Sequence, residues 1–197
     1  PTSLNAMQEL PAPQDWHADP WSSPQVSVRP TALRDWLARH EQEPQRFDVI
    51  VIDLPDPEKQ EFAAWYSREF YALLLNHLKP EGVLVTQAGS PYFASRAFNC
   101  IEKTIASAGF ETLPLHNQVM TLGEWGWILA SPTLEREVMQ QQLDATTPTV
   151  ATQWLNQEAM QMLSRFGKDV KRYQEVRVNT LEEPVLLDYY LQGNWRF

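Results

Sequence analysis

The chain has 197 residues, 43 % of them hydrophobic and 21 % charged, with a formal net charge of −9 at pH 7. This is the composition of one globular domain with an appendage rather than of a disordered tract, and its acidity argues against a broad nucleic-acid surface, which needs a basic face. No stretch reaches the roughly 18 apolar residues of a membrane-spanning helix, and the start P-T-S-L-N-A-M lacks the basic lead of a signal peptide. It also lacks an initiator Met, which suggests a piece of a larger protein. The lone Cys100 excludes an internal disulfide and fits a reducing compartment.

In chain order, Pro1 to Pro30 is an irregular proline-rich lead-in with Trp16 and Trp21, carrying at most a short strand at Val26 to Val28. Thr31 to His40 places Leu33, Trp36 and Leu37 at helical spacing behind a cap at Thr31. Next comes F-D-V-I-V-I-D-L-P-D-P, from Phe47 to Pro57. Its β-branched run Val49 to Ile52 predicts a strand buried on both faces of a parallel α/β sheet. Phe62, Trp65, Phe70, Leu73, Leu74 and Leu78 describe one amphipathic helix or two short ones, closed by Lys79-Pro80-Glu81-Gly82. Gly82 to Gln87 is a second strand, and strand, helix, strand over this span returns parallel through a crossover.

Tyr92 to Ala108 repeats the helical pattern, with Cys100 on its apolar face as a buried structural thiol. Phe110 to Leu115 and Trp125 to Ala130 then predict two strands with no helix between them, hence an antiparallel pair at the sheet edge. Beyond Ser131 a helix over Leu134 to Leu143, a linker at Asp144 to Thr149, an amphipathic stretch at Trp154 to Phe166 and a short terminal apolar helix follow. The expected organisation is therefore a partial Rossmann-like domain over residues 1–131 and a helical extension over 132–197 packed on it.

Candidate chemistry gathers at the predicted strand ends, where open α/β sheets bind ligands. Asp53 and Asp56 end the first strand, Gln87 ends the second, and Gly123-Glu124-Trp125-Gly126-Trp127 opens the last. Carboxylates accept the protons of an alkylammonium group and indole faces attract its charge, so the set suits an amine. Taken singly, Asp56 before Pro57 could cap a helix, Gln87 could be a structural amide, and Trp125 and Trp127 could be core. The four histidines show no metal-ligand spacing, no G-x-S-x-G nucleophile turn occurs, and none of the seven glycines forms G-x-G-x-x-G or a phosphate loop.

These residues, in this order, resemble the polyamine aminopropyltransferase (spermidine synthase) family. F-D-V-I-V-I-D-L-P-D-P is similar to its strand and catalytic aspartate motif, Y-S-R-E-F-Y from Tyr66 to its following helix, and G-V-L-V-T-Q-A-G-S-P-Y from Gly82 to its next strand and loop. The tail from Val178 is similar to bacterial members whose parent proteins often carry membrane-spanning segments. The resemblance implies a Rossmann-like, methyltransferase-type mixed α/β sheet with an antiparallel edge, whose glycine-loop strand would lie ahead of Pro1. It implies aminopropyl transfer from decarboxylated S-adenosylmethionine, as co-substrate and not a bound cofactor, to an amine such as putrescine. Asp53 would be the acid/base; Asp56, Gln87 and Trp125 would hold the amine; Thr31, Ala32 and Leu54 would meet the nucleoside.

Three departures stand out: Thr31-Ala32 lacks the acidic residue usual before that Ala, Thr121-Leu122-Gly123-Glu124 replaces the soluble enzymes' Tyr-Pro-Ser-Gly, and the family's glycine-rich turn and ribose-binding acid would lie ahead of Pro1, which implies little or no activity for these residues alone. The resemblance further implies a cytoplasmic domain, a homo-oligomer, no nucleic-acid or metal partner, and a membrane only through a parent protein. Two rivals are an S-adenosylmethionine-dependent amine N-methyltransferase and a noncatalytic polyamine-sensing or subunit-joining domain.

Overall fold

The computed structural model describes residues 24–40, 42–121, 123–167 and 175–193. The chain divides into an N-terminal unit, Pro1–Glu43, and a larger unit, Pro44–Phe197. The predicted lead-in up to residue 23, with Trp16 and Trp21, lies outside the described residues. In the N-terminal unit, Val26 to Val28 forms no strand, since no partner ladder satisfies its backbone. Its helix α1, Leu33–Arg39, is capped at Ala32 without any side-chain bond, so the expected cap at Thr31 does not form. Arg39 in the last turn instead bonds the Asp35 carbonyl at 3.0 Å and suits the helix dipole.

The larger unit is built on a four-stranded sheet in the order β1-β2-β4-β3, with β1 Phe47–Ile52, β2 Leu78–Gly89, β3 Glu111–Val119 and β4 Gly123–Ser131. β1 runs parallel to β2 because α2 (Gln60–Ala63), a 3-10 turn at Ala64–Tyr66 and α3 (Arg68–Asn76) make the crossover. α3 starts at Ser67, whose hydroxyl accepts the Phe70 N–H at 3.3 Å. The β3–β4 connection is too short for a crossover, so that pair is antiparallel, as is β2–β4.

Two sequence expectations about β1 and β2 are corrected. β1 is not buried on both faces: Val49 is 56 % and Val51 71 % exposed, because the strand is an edge of the sheet and only Ile50 and Ile52 point to the better-covered side. β2 begins at Leu78, so Lys79-Pro80-Glu81 is strand rather than a helix stop. Pro80 is tolerated there because pairing jumps from Phe47↔Leu78 to Val49↔Val83, a bulge that asks no ladder bond of it.

The core lies between one sheet face and α4, Ser95–Ser107. Leu84, Thr86, Ile128 and Ala130, cross-strand neighbours on that face, are wholly buried, while α4 contributes Phe98, Ile101 and Ile105, each stabilising by about 2 kcal/mol through burial. Helix and sheet approach so closely that a Cβ at Gly126 would stand 2.5 Å from the Phe98 ring. Cys100 is buried as expected, its Sγ 3.3 Å from the Arg177 carbonyl. Burial pushes its thiol up to about 12.

Beyond β4, α5 (Arg136–Ala145) buries Met139, and α6 shrinks from the predicted Trp154 to Phe166 to Gln157–Met162. Asn156 caps α6 by accepting the Ala159 N–H at 2.8 Å, which leaves Trp154 outside the helix. The tail returns across the molecule to α7, Leu186–Leu191. Asn179 clasps it in place: its buried amide donates to the Ala63 and Tyr66 carbonyls at 2.9 and 3.1 Å, and its oxygen accepts the Leu186 N–H at 3.1 Å.

Candidate functional site

The site begins where β1 ends. Asp53 follows Ile52, is exposed, and makes no hydrogen bond or ion pair among the described residues. The chain then turns through Leu54 and Pro55 to the half-buried Asp56, with Pro55 and Pro57 on either side of it limiting its freedom. Parallel pairing of Ile52 with Thr86 sets the end of β1 beside the end of β2, and this register brings Gln87 to the same turn.

Gln87 is 7 % exposed and fully committed. Its Nε2 donates to the Leu54 carbonyl at 2.9 Å and to Asp56 Oδ1 at 3.2 Å, and lies 2.5 Å from Tyr66 Oη. Its Oε1 accepts the Gly89 N–H at 3.1 Å, which fixes the amide orientation. Gly89 sits at φ 70°, a left-handed conformation that a side chain would strain, and this bends the backbone back toward Gln87. Tyr66, buried, donates to the Pro55 carbonyl at 3.0 Å. From the far end of the chain, Tyr190 on α7 donates its phenol to Asp56 Oδ2 at 3.0 Å.

Asp56 is thus gripped at both oxygens by neutral donors. Both phenols stay protonated at any physiological pH. Tyr66 is raised far above the ordinary phenol range, first by burial, then by Tyr71 and the Asp56 carboxylate. Tyr190 is raised by burial and then by Asp56 and Glu58. No ion pair involves Asp53 or Asp56 among the described residues, so two carboxylates meet at one sheet end with no cationic side chain of those residues paired to either. Such a place attracts a cation that also donates hydrogen bonds, and an alkylammonium does both.

Of the residues singled out in the sequence, the structure brings Leu54, Asp56 and Gln87 into one network, with Asp53 at its mouth. Trp125 is half-buried on β4; strand alternation gives it the face of Trp127, the cross-strand partner of Gln87. Thr31 and Ala32 belong to the N-terminal unit, where both are exposed just ahead of α1. Sequence reasoning missed Tyr66 and Tyr190 as site residues. Tyr190 had one signal, a phenol on a short terminal helix among leucines, which needs a polar partner when it packs. Among the described residues no group of three or more His, Cys, Asp or Glu could hold a metal ion, and no described helix is long and apolar enough to cross a membrane.

With this geometry established, likeness to known proteins can be weighed. Residues 17–142 match the spermine/spermidine synthase domain. A polyamine aminopropyltransferase of Oceanobacillus iheyensis is 41 % identical over 147 residues, which is 73 % of this chain and 28 % of that protein. Polyamine aminopropyltransferase 2 of Ralstonia nicotianae is 35 % identical over 197 residues, 98 % of this chain and 36 % of that protein. The chain therefore spans well under half the length of these relatives. Among solved structures, a spermidine synthase bound to the transition-state analogue AdoDATO superposes with a TM-score of 0.62 at 19 % identity, over 77 % of this chain and 52 % of that one. Spermidine synthase of Thermotoga maritima gives 0.60 at 20 %, over 77 % and 50 %. These structures share the mixed α/β fold of this chain.

Proposed function

Because this chain belongs to the spermine/spermidine synthase family, we propose that it carries the acceptor side of an aminopropyltransferase site, moving an aminopropyl group from decarboxylated S-adenosylmethionine to a diamine such as putrescine. The observation that supports this reading most is the pair of carboxylates at the end of β1, one held by Gln87 and Tyr190 and the other exposed beside it.

In the proposed reaction Asp53 accepts a proton from the diamine's attacking ammonium. The freed nitrogen lone pair attacks the methylene carbon attached to the sulfonium; the carbon–nitrogen bond forms as the carbon–sulfur bond breaks. The bonding pair of the latter stays on sulfur, which leaves as the neutral thioether of methylthioadenosine. Attack requires a deprotonated, aligned nitrogen, so positioning carries much of the rate. Asp56 holds the amine, and its own two donors keep its oxygens from turning away. Gln87, with every amide group engaged by protein, acts on the amine through Asp56, Leu54 and Tyr66 rather than by touching it. Trp125 offers an indole face to the cation. The parts of Leu54, Thr31 and Ala32 in meeting the nucleoside are carried by the resemblance alone. A cytoplasmic setting and self-association belong to the same proposal.

The test is product analysis with decarboxylated S-adenosylmethionine and putrescine. Release of methylthioadenosine with an aminopropylated amine is expected. Adenosylhomocysteine formed from S-adenosylmethionine would mark a methyltransferase instead, and diamine binding without turnover a sensor.

A further inference from the structure

A cavity of about 580 Å³ opens at the end of the β3–β4 hairpin, between that hairpin, Tyr92 and Phe93 after β2, and α6 with Trp154 ahead of it. It is separate from the aspartate network. His116 pairs with Gly126, whose missing side chain would meet Phe98, so His116 stands on the α4 face of the sheet; Gln87 pairs with Trp127 on the opposite face. The walls are mainly aromatic and aliphatic, and two of these side chains are strongly exposed, Trp154 at 59 % and Met162 at 61 %. Apolar side chains left open around a concavity mark a place where a ligand's hydrocarbon lies.

The polar side chains of the lining include His116, Asn117, Gln118 and Glu124. His116 Nδ1 meets the Glu124 carboxylate, and its Nε2 lies 2.9 Å from the Arg165 carbonyl oxygen, so both ring nitrogens face acceptor oxygens. Phe166 packs on the imidazole at 4.3 Å and Tyr92 meets it edge-on at 6.4 Å. The ring thus ties β3 to the segment after α6, as does its backbone N–H, which donates to the Leu163 carbonyl at 2.7 Å. Among the described residues the charged and titratable groups around it are Glu124 on β4, the Tyr92 phenol, and Arg165, whose guanidinium turns to Asp144 at 2.5 Å.

Among the described residues Glu124 is the sole acid lining the cavity, and no Lys or Arg lines it. Those residues offer an anion nothing to hold it, and a polyamine would leave all but one of its charges against apolar walls. We propose that this cavity is a second site, selective for an amine with a single ammonium on a hydrocarbon chain. The ammonium takes the Glu124 carboxylate in competition with His116 Nδ1, the chain lies along Tyr92, Phe93 and Trp154, and Asn117 and Gln118 border the entrance. This inference does not depend on the catalytic reading.

The experiment is calorimetric titration with n-hexylamine at pH 8.0, on the unsubstituted protein and on Glu124→Gln and Asp56→Asn. Expected is binding that disappears in Glu124→Gln and persists in Asp56→Asn. Binding that survives Glu124→Gln, or vanishes in Asp56→Asn, would overturn the proposal by sending the amine elsewhere, and so would no heat at pH 8.0 from a protein whose circular dichroism shows it folded. Failure of aminopropyl transfer would leave these outcomes untouched.

Discussion

Asp56 and Glu124 are both half-buried carboxylates at the same end of the sheet, yet the protein treats them in opposite ways. Asp56 is held by an amide and a phenol, donors that carry no charge. Glu124 meets the imidazole of His116, itself held by the Arg165 carbonyl. Neutral donors fix a carboxylate in space without cancelling its field, which leaves the charge of Asp56 to be answered by whatever enters. At Glu124 an entering group must compete with a ring already in place, and the difference lies in the partner rather than in the acid.

The largest effect that would sharpen this contrast is Asp53→Asn, expected to lower the turnover rate of the aminopropyl reaction by about 10²–10⁴-fold through loss of the proton acceptor, with hexylamine binding at the Glu124 cavity unaltered. Asn179→Ala comes next. It strands the buried Ala63 and Tyr66 carbonyls and the Leu186 N–H, and should cost about 2–3 kcal/mol in denaturant unfolding while loosening the helix that supplies Tyr190.

Cys100 reports that loosening directly, because it sits beneath the Arg177 carbonyl of the same tail. With its thiol pushed up from 9.0 to about 12 by burial, a disulfide reagent at pH 8 should leave the intact protein unlabelled and label Asn179→Ala. The raised folded value also means that the folded state keeps the proton more tightly. Its contribution to stability is therefore complete below about pH 9 and declines as pH climbs toward 12, a loss that alkaline unfolding would measure. Tyr190→Phe removes one bond to Asp56 and should raise the diamine KM about three- to tenfold, in keeping with about 0.5–1.5 kcal/mol for one hydrogen bond, with kcat changed far less. The smallest effect belongs to Val51→Thr on the exposed side of β1, within about 0.5 kcal/mol of neutral; a larger loss would contradict the open face that distinguishes β1 from β2.

The sheet was readable because its connections leave little choice. A helical crossover forces β1 and β2 parallel, and the short link at Gly123 forces β3 and β4 antiparallel. The strand-end position of Asp53, Asp56 and Gln87 followed from the same pattern. What the residues around β1 concealed was its place in the sheet, since Val49 to Ile52 reads the same at an edge as at the centre, and order depends on pairing partners far away in sequence. Tyr190 and Asp56 are 134 residues apart, and no local period reports such a meeting. The His116–Glu124 pair was nearer to hand, eight residues apart across a hairpin. Register alone would have found it, because His116 faces Gly126 and Glu124 faces Gln118, diagonal neighbours on one side of the ribbon.

The phenol on Asp56 comes from the last described helix of the chain. During synthesis the sheet and both aspartates can assemble while Tyr190 is still inside the ribosome, so Asp56 gains its second anchor only after almost all of these residues have been translated. A nascent product cut short before Leu186 would keep both aspartates and the Gln87 bond, but Asp56 would be held at one oxygen instead of two.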